Sequence, residues 1–237
     1  MCYLYVNENG VNVSVEGNQC IAKYPDGMKK FVPIESLESI IIMGHSQITT
    51  HCMEECIKRG INISYFSKSG RYFGKVQSTG HVKAHRQRIQ CALYDTEFAV
   101  ELAKRIITAK INNQNVVLKR YERYKKIFLP SIHSIMDDCK HSVQKCDDVF
   151  EIMGYEGQAA KCYFNGLSKC IKEEFAFEGR SRRPPLDEFN SMIGLGYSIL
   201  MNEIYGKIEQ KGLNPYFGFI HRDAEKHPTL ASDLMEE

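Results

Sequence analysis

The 237-residue sequence lacks a strong charge of either sign and lacks any long uninterrupted apolar run. Its 31 basic and 29 acidic side chains leave a formal net charge of +2, so any site for a polyanion must be local. The missing apolar run excludes an ordinary membrane-spanning helix, and we expect no membrane partner. Because a secretory signal is also missing, we expect a cytoplasmic protein.

Closely spaced cysteine pairs of the kind that hold structural zinc are missing as well. The nine cysteines are an odd number, scattered along the chain. Two groups combine a histidine with two cysteines: His51 with Cys52 and Cys56, and His141 with Cys139 and Cys146. Neither group has the spacing of a zinc finger, so reduced, buried thiols are favoured over a zinc site.

The first third of the sequence has the alternating pattern of strands. Val11, Val13 and Val15 alternate with polar residues, and Asn9-Gly10 before them predicts a hairpin with residues 3–6. A turn at Pro25-Asp26-Gly27 predicts a second hairpin between residues 20–24 and 31–34.

The rest of this β region contains one predicted helix and a closing hairpin. The helix is expected over residues 49–59, because Met53, Cys56 and Ile57 share a face and Gly60 provides a left-handed stop. Residues 61–66 and 71–76 are expected to pair as the closing hairpin.

From His81 onward the hydrophobic period changes from two to about 3.6 residues, which is typical of helices. We expect helices at 158–177, at 187–211 and from 229 to the end. The sequence therefore predicts a two-domain α+β protein. A small, β-sandwich-like domain would span residues 1–82 and an all-α domain residues 83–237.

Three segments of the helical half carry candidate catalytic groups. Glu156 lies between Gly154 and Gly157, which would permit a tight turn just before a helix. His221 ends the apolar segment that starts at Gly218. Taken alone, Glu156 is better explained as a surface carboxylate near a helix dipole, and His221 as a hydrogen-bonded core residue.

The third segment ends in Asp233 and Glu236, which are three positions apart and so would share a helix face. Two like charges there repel, so they indicate either a solvated surface cluster or a bound cation. Carboxylates with one imidazole form a hard, oxygen-rich donor set that suits Mg²⁺ or Mn²⁺. Such ions stabilise the transition state of phosphoryl transfer.

Local groups of basic residues favour nucleic acid as the partner. One group follows the predicted domain boundary, and a second precedes a diproline that stiffens its loop. The members are Lys83, Arg86 and Arg88, and then Arg180, Arg182 and Arg183 before Pro184-Pro185. Basic residues also alternate with Tyr121 and Tyr124. A solvated helix face is the more common explanation for the charge runs on helices. For the loop before the diproline, a simple connector whose arginines cap carbonyls or pair with Glu173 and Glu174 is an equal alternative.

These segments, taken in order, resemble the CRISPR-associated protein one family. The motifs are Gly154-Tyr155-Glu156-Gly157, Arg182-Arg183-Pro184-Pro185 with Asp187 and Asn190, Gly196-Tyr197-Ser198, Gly212-Leu213-Asn214-Pro215, Gly218-Phe219-Ile220-His221 and Asp233-Leu234-Met235-Glu236. The specific likeness covers roughly residues 150–237, and the strands before it match in character only.

The resemblance implies a CRISPR spacer-acquisition enzyme, a DNA endonuclease and integrase in which a 3′-hydroxyl attacks a phosphodiester. Glu156, His221 and Glu236 would match the family's ligands for Mg²⁺ or Mn²⁺, with Asp233 as a neighbouring catalytic carboxylate. The N-terminal domain would form a homodimer, joined by CRISPR-associated protein two. The substrates would be double-stranded and branched DNA.

One departure and two alternatives accompany this identification. Family members usually continue beyond the last acidic ligand, whereas Glu236 is the penultimate residue here, so we expect a truncated C-terminus. A generic metal-dependent nuclease for branched nucleic acid would use the same residues without integration. A non-catalytic DNA-binding scaffold would need only the basic groups.

Overall fold

The computed structural model describes residues 2–70, 72–80, 82–181 and 184–236. The chain divides into two compact units, Met1–Val82 and Lys83–Glu237. The first unit consists of strands and one α-helix, and the second consists of helices joined by loops. The predicted fold class, a β region followed by a helical region, is confirmed.

Eight strands form two four-stranded sheets in the first unit. Their bounds are β1 Cys2–Val6, β2 Asn12–Glu16, β3 Gln19–Lys23, β4 Lys29–Pro33, β5 Leu37–Met43, β6 Gln47–Ile48, β7 Asn62–Phe66 and β8 Tyr72–Val76. One sheet has the order β1-β5-β7-β8 and the other β4-β3-β2-β6. In the first sheet β1, β5 and β7 are parallel, and β8 is antiparallel to β7.

Both sheets contribute to one apolar core. The alternating Val11 and Val13 are fully buried and pack in the same cluster as Ile40 of β5 and Ile63 of β7. Alternation places every second side chain of a strand on one face, which is why a two-residue period marks a half-buried strand. The two sheets therefore enclose a core in the manner of a sandwich.

The helix of this unit, α1, spans Thr50–Arg59 and confirms the predicted segment. The hydroxyl of Thr49 accepts a hydrogen bond from the Cys52 amide at 3.2 Å, which caps the first turn. Gly60 ends the helix with a φ of 72°, a conformation that glycine adopts without steric cost.

One predicted hairpin is wrong and two are confirmed. The Asn9-Gly10 turn does not join paired strands, because β1 pairs with β5 while β2 pairs with β3. The Gly10 amide instead donates to the His45 carbonyl at 2.7 Å, and the chain crosses here from one sheet to the other. Strands β3 and β4 form the predicted antiparallel pair, and so do β7 and β8.

The described residues of the second unit form six α-helices and no strand. They are α2 Ala84–Ala92, α3 Glu97–Lys125, α4 Pro130–Val143, α5 Val149–Ser168, α6 Glu188–Gln210 and α7 Thr229–Met235. Helices α3, α4 and α5 share a core that contains Ile107, Leu118, Met136 and Ile152, all fully buried. Helices α6 and α7 follow the predicted segments closely.

The predicted start of α5 at residue 158 is wrong, and its predicted end at 177 is wrong as well. The helix begins at Val149, where the Asp148 carboxylate accepts a hydrogen bond from the Glu151 amide at 2.9 Å. Glu156 therefore lies inside the helix, and not after a tight turn. Gly154 and Gly157 are exposed, and the buried Ile152 and Ala159 stabilise the helix despite the two glycines.

The cysteines that could have formed zinc groups lie inside the two cores. Cys52 and Cys56 are fully buried in the first unit, and Cys139 and Cys146 are buried in the second. All nine cysteines are free thiols. Their burial agrees with the interpretation as small apolar core residues.

Candidate active site

Three of the candidate residues lie around the side chain of Lys110 on α3. The Lys110 ammonium donates to Glu156 Oε1 at 2.5 Å and also to Glu236 Oε2. Glu236 in turn lies near His221, with 3.7 Å between Oε1 and Nε2. The structure therefore connects Glu156, Glu236 and His221 through one continuous set of polar contacts.

The local folds explain how these groups meet. Glu156 lies on α5, which packs along α3, so its carboxylate reaches Lys110 between the two helices. Glu236 immediately follows the last turn of α7. Both carboxylates are mostly shielded, with 15% and 19% of their side-chain surfaces exposed.

The Lys110 ammonium remains protonated in this setting. Burial by itself lowers the pKa of Lys110, because a charge in a less polar medium loses hydration. The Glu236 and Glu156 carboxylates outweigh that effect and raise the pKa of Lys110 above its usual range. Lys110 was not among the candidates from the sequence, since its partners are 46 and 126 positions away.

Asp233 orients the backbone that carries His221. Its side chain is fully buried, so the solvated surface cluster considered for this residue is wrong. Oδ2 accepts hydrogen bonds from the Phe219 amide at 2.6 Å and from the Ile220 amide at 3.1 Å. Oδ1 accepts from the His221 amide at 2.9 Å. Three consecutive amides thus converge on one carboxylate, as at an anion-binding turn.

The same carboxylate sets the orientation of the His221 ring, whose Nδ1 lies 2.8 Å from Asp233 Oδ1. We assign a proton to Nδ1, because the Asp233 carboxylate can only accept. Nε2 faces Glu236 and is the nitrogen that a metal ion can bind when the ring is neutral. The hydrogen bond to Asp233 raises the pKa of His221 above its usual value, although burial opposes the rise. A nearby carboxylate of this kind commonly fixes the ring of a metal-bound histidine.

Gly218 is required where this segment approaches α7. Its amide donates to the Thr229 hydroxyl at 2.9 Å. A Cβ at position 218 would lie 2.8 Å from Asp233 Oδ2 and 2.8 Å from the backbone carbon of Thr229. Side-chain carbon atoms do not come so close to backbone, so only glycine permits this contact.

The donor set fits a hard divalent ion, with two carboxylates and one imidazole nitrogen. The described residues contain no group of three His, Cys, Asp or Glu side chains already arranged around a metal position. The Lys110 ammonium, a cation, instead lies between Glu156 and Glu236. These carboxylates therefore already converge on one positive charge.

Comparison with known proteins identifies the family. The sequence matches the family described as CRISPR associated protein Cas1 over residues 4–237. The chain belongs to the Cas1 family. It is 39% identical over 240 residues to the CRISPR-associated endonuclease Cas1 of Mycobacterium tuberculosis, covering 100% of this chain and 70% of that protein. The resemblance inferred from the sequence motifs is confirmed.

Solved structures share the Cas1 fold over the whole chain. A Cas1 protein from Thermotoga maritima, 24% identical, superposes with a TM-score of 0.82, covering 100% of this chain and 74% of that one. A casposase bound to an integration product, 26% identical, gives 0.83 and covers 100% and 69%. A Cas6-RT-Cas1–Cas2 complex, 26% identical, gives 0.81 and covers 99% and 26%.

The basic residues at the start of the helical unit are exposed, but one of them has a structural partner in this Cas1-family chain. Lys83 and Arg88 are exposed to solvent. The Arg86 guanidinium donates to the carbonyl of Lys211, just after α6. This contact of Arg86 with the C-terminal end of α6 was not predicted from the sequence.

Gln90 of α2 also holds the Gly212–Asn214 motif region and was missed from the sequence. Its amide nitrogen donates to the carbonyls of Asn214 at 2.8 Å and Phe217 at 2.7 Å, and its oxygen accepts from the Asn214 amide at 2.9 Å. The side chain is buried. Its partners lie more than 120 positions along the chain, so no local pattern indicates the contact.

The second basic group is described only in part, because Arg182 and Arg183 lie outside the described residues. The Arg180 guanidinium donates to Asn190 Oδ1 at 2.8 Å and to the Ser181 carbonyl at 2.7 Å. It also lies 5.7 Å from the ring centre of Tyr197. Arg180 thus secures the connector before α6, as the alternative explanation for this loop proposed.

The C-terminal half of α3 presents a mixed basic and aromatic surface. Arg120, Tyr121 and Tyr124 line, with Val117, a shallow pocket of about 540 Å³. Tyr124 is 81% exposed. Exposed aromatic rings among cations suit contact with bases and phosphates.

Among the described residues, none of the helices combines the length and the apolar composition of a membrane span.

Proposed function

We propose that this Cas1-family chain is a divalent-metal-dependent DNA endonuclease and integrase of CRISPR spacer acquisition. Glu156, His221 and Glu236 would hold Mg²⁺ or Mn²⁺, and Asp233 would fix the orientation of His221. The observation that carries the proposal is the convergence of Glu156 and Glu236 on one cation, with Nε2 of His221 beside Glu236. The match to the Cas1 family supports it.

The reaction proposed is a transesterification. A 3′-hydroxyl of incoming DNA forms a new bond to phosphorus in the target strand, and the old phosphorus–oxygen bond breaks, so the number of phosphodiesters is unchanged. A bound divalent ion supplies charge neutralisation at the phosphate and the leaving oxygen. The residues of this chain hold and orient the donor atoms: the Asp233 carboxylate fixes the ring of His221, and α3 and α5 hold Glu156.

The partners follow from the relatives and from the basic surface. The Mycobacterium tuberculosis relative is named an endonuclease, and one structural neighbour is a casposase bound to an integration product. Another belongs to a complex with Cas2. We infer that this chain binds double-stranded and branched DNA in the cytoplasm, as a homodimer through its first unit, together with CRISPR-associated protein two. The DNA would contact Lys83, Arg86, Arg88, Arg180, Arg182 and Arg183.

The test is an integration assay with purified chain, partner protein, labelled 3′-hydroxyl DNA and a target that contains a repeat. Wild type is expected to form joined products with Mn²⁺ or Mg²⁺ and none with a chelator. Glu156→Gln and His221→Ala should each reduce joining by at least about 100-fold, because a ligand of the ion is lost.

Glu151→Gln is the matched control, since it makes the same chemical change at an exposed position of the same helix. Its rate should equal that of wild type. Equal rates in Glu156→Gln and wild type would refute the proposed site. Cleavage fragments without joined products would favour the generic nuclease, and salt-sensitive binding without any turnover would favour the scaffold.

A further inference from the structure

Lys110 lies between the two carboxylates that the proposed metal site would use. The ammonium contacts one carboxylate oxygen each from Glu156 and Glu236, which reach it from α5 and from the end of α7. Only 15% of the Lys110 side chain is exposed, so water does not separate these charges as it would at a surface ion pair. The two carboxylates are already directed at a common point.

An ammonium and a divalent ion place conflicting demands on these oxygens. Mg²⁺ binds carboxylate oxygens at about 2.0–2.1 Å and keeps several water ligands, which fill the space around it. An ammonium held between the same two oxygens takes up that space and neutralises their charge. An ion that binds these same two oxygens therefore has to displace the ammonium.

We propose that Lys110 is a built-in competitor for the divalent ion: its ammonium neutralises Glu156 and Glu236 in the metal-free protein and is displaced when the ion binds. This inference rests on the proposed function, because it concerns the same site. Lysine suits the role, since its charge sits on a flexible stem that can swing away without movement of the helix. The site is thereby kept assembled without metal, at the expense of metal affinity.

The experiment compares Mn²⁺ binding by calorimetry in wild type, Lys110→Met and Lys110→Arg, all without DNA. Methionine preserves the length of the side chain and removes the charge. We expect Lys110→Met to bind Mn²⁺ about 10-fold to 100-fold more tightly, because the ion no longer has to break the charge-assisted hydrogen bonds between the ammonium and the carboxylates. Lys110→Arg keeps the competing charge and should bind no more tightly than wild type.

Lys104→Met is the matched control. Lys104 lies on the same helix, is also 15% exposed, and pairs with Glu101 at 3.5 Å. An equal gain in affinity in this variant would show a general field effect and overturn the inference, as would unchanged or weaker binding in Lys110→Met. Glu156→Gln distinguishes this inference from the proposed function, because it tests whether wild type binds Mn²⁺ through Glu156. If it loses Mn²⁺ binding while Lys110→Met binds no more tightly than wild type, the inference about Lys110 fails and the proposed metal site stands. Binding by no variant would overturn both.

A second measurement uses the unaltered protein and does not depend on how a variant folds. The rate at which an amine-acetylating reagent modifies Lys110 is followed by mass spectrometry. Saturating Mn²⁺ should raise this rate several-fold, because the ammonium loses both carboxylate partners. A rate that stays constant or falls with Mn²⁺ would overturn the inference, whatever the calorimetry shows.

Discussion

The buried carboxylate of Asp233 offers a sharp test of how the site is held together. Asp233→Asn keeps the shape of the side chain but replaces one accepting oxygen by an NH₂ group, which only donates. Each oxygen of Asp233 now accepts two hydrogen bonds, one pair from Phe219 and Ile220 and the other from His221. If the NH₂ group faces Phe219 and Ile220, two backbone amides lose their acceptor; if it faces His221, the ring can move its proton to Nε2 and accept, and one backbone amide loses its acceptor.

The cost follows from that count. A hydrogen bond to a charged group contributes about 1.5–3 kcal/mol, so the loss of at least one lowers the free energy of unfolding by at least about 1.5–3 kcal/mol. Urea denaturation followed by far-UV circular dichroism measures this, because the helices dominate the signal. Asp148→Asn is the control: Asp148 caps α5 through one hydrogen bond, asparagine caps equally well, and we expect a change below about 0.5 kcal/mol.

The same variant should change the titration of His221. In wild type the hydrogen bond to Asp233 raises the pKa of His221, so the folded protein binds this proton more tightly than the unfolded chain. The resulting stability is complete below about pH 6.5, the ordinary histidine value, and is lost as pH rises through the raised pKa. In Asp233→Asn this pH dependence should vanish, and an NMR titration of the metal-free protein should show a lower pKa. A destabilisation below about 1 kcal/mol with an unchanged His221 pKa would refute the reasoning.

Two further substitutions test the loops around the site. Gly218→Ala should lower the unfolding free energy by about 1–3 kcal/mol, because the added Cβ would clash with Thr229, and it should reduce Mn²⁺ affinity. Gly154→Ala lies in open space on α5 and should raise the unfolding free energy by about 0.5–1 kcal/mol. Calorimetric melting measures both, and changes of the same sign and size would contradict this prediction. Gln90→Leu should destabilise by about 3 kcal/mol, because it leaves backbone groups of residues 214 and 217 unpaired; a urea midpoint equal to that of wild type would contradict this.

Local signals predicted those elements whose ends are set by nearby residues. Thr49 and Gly60 bound α1 through a side-chain cap and a left-handed glycine, and Asp187 caps α6 in the same way. Both helices lie where the sequence placed them. Such caps act within three or four residues, so a local pattern contains all the information that determines them.

Pairings over long sequence distances could not be predicted in this way. The Asn9-Gly10 turn favours a hairpin, but β1 pairs in parallel with β5, which lies far along the chain, and no local pattern indicates that pairing. The start of α5 was missed because its two glycines suggested a turn, while Asp148 and Glu151 gave a helix-start signal that could have been used. Lys110 meets its carboxylate partners only after three helices pack, and nothing in its own segment indicates them.

The continuity of α3 fixes a length in this molecule. The helix runs unbroken from Glu97 to Lys125, and at about 1.5 Å per residue its positions 110 and 124 are about 21 Å apart along the axis. A nucleic acid strand that reached from the carboxylates around Lys110 to the exposed ring of Tyr124 would have to span about six nucleotides at roughly 3.4 Å each. An insertion of one residue into α3 would lengthen that span by about 1.5 Å and rotate its two ends by about 100° relative to each other, so a change of length would alter both the distance and the orientation between these two positions.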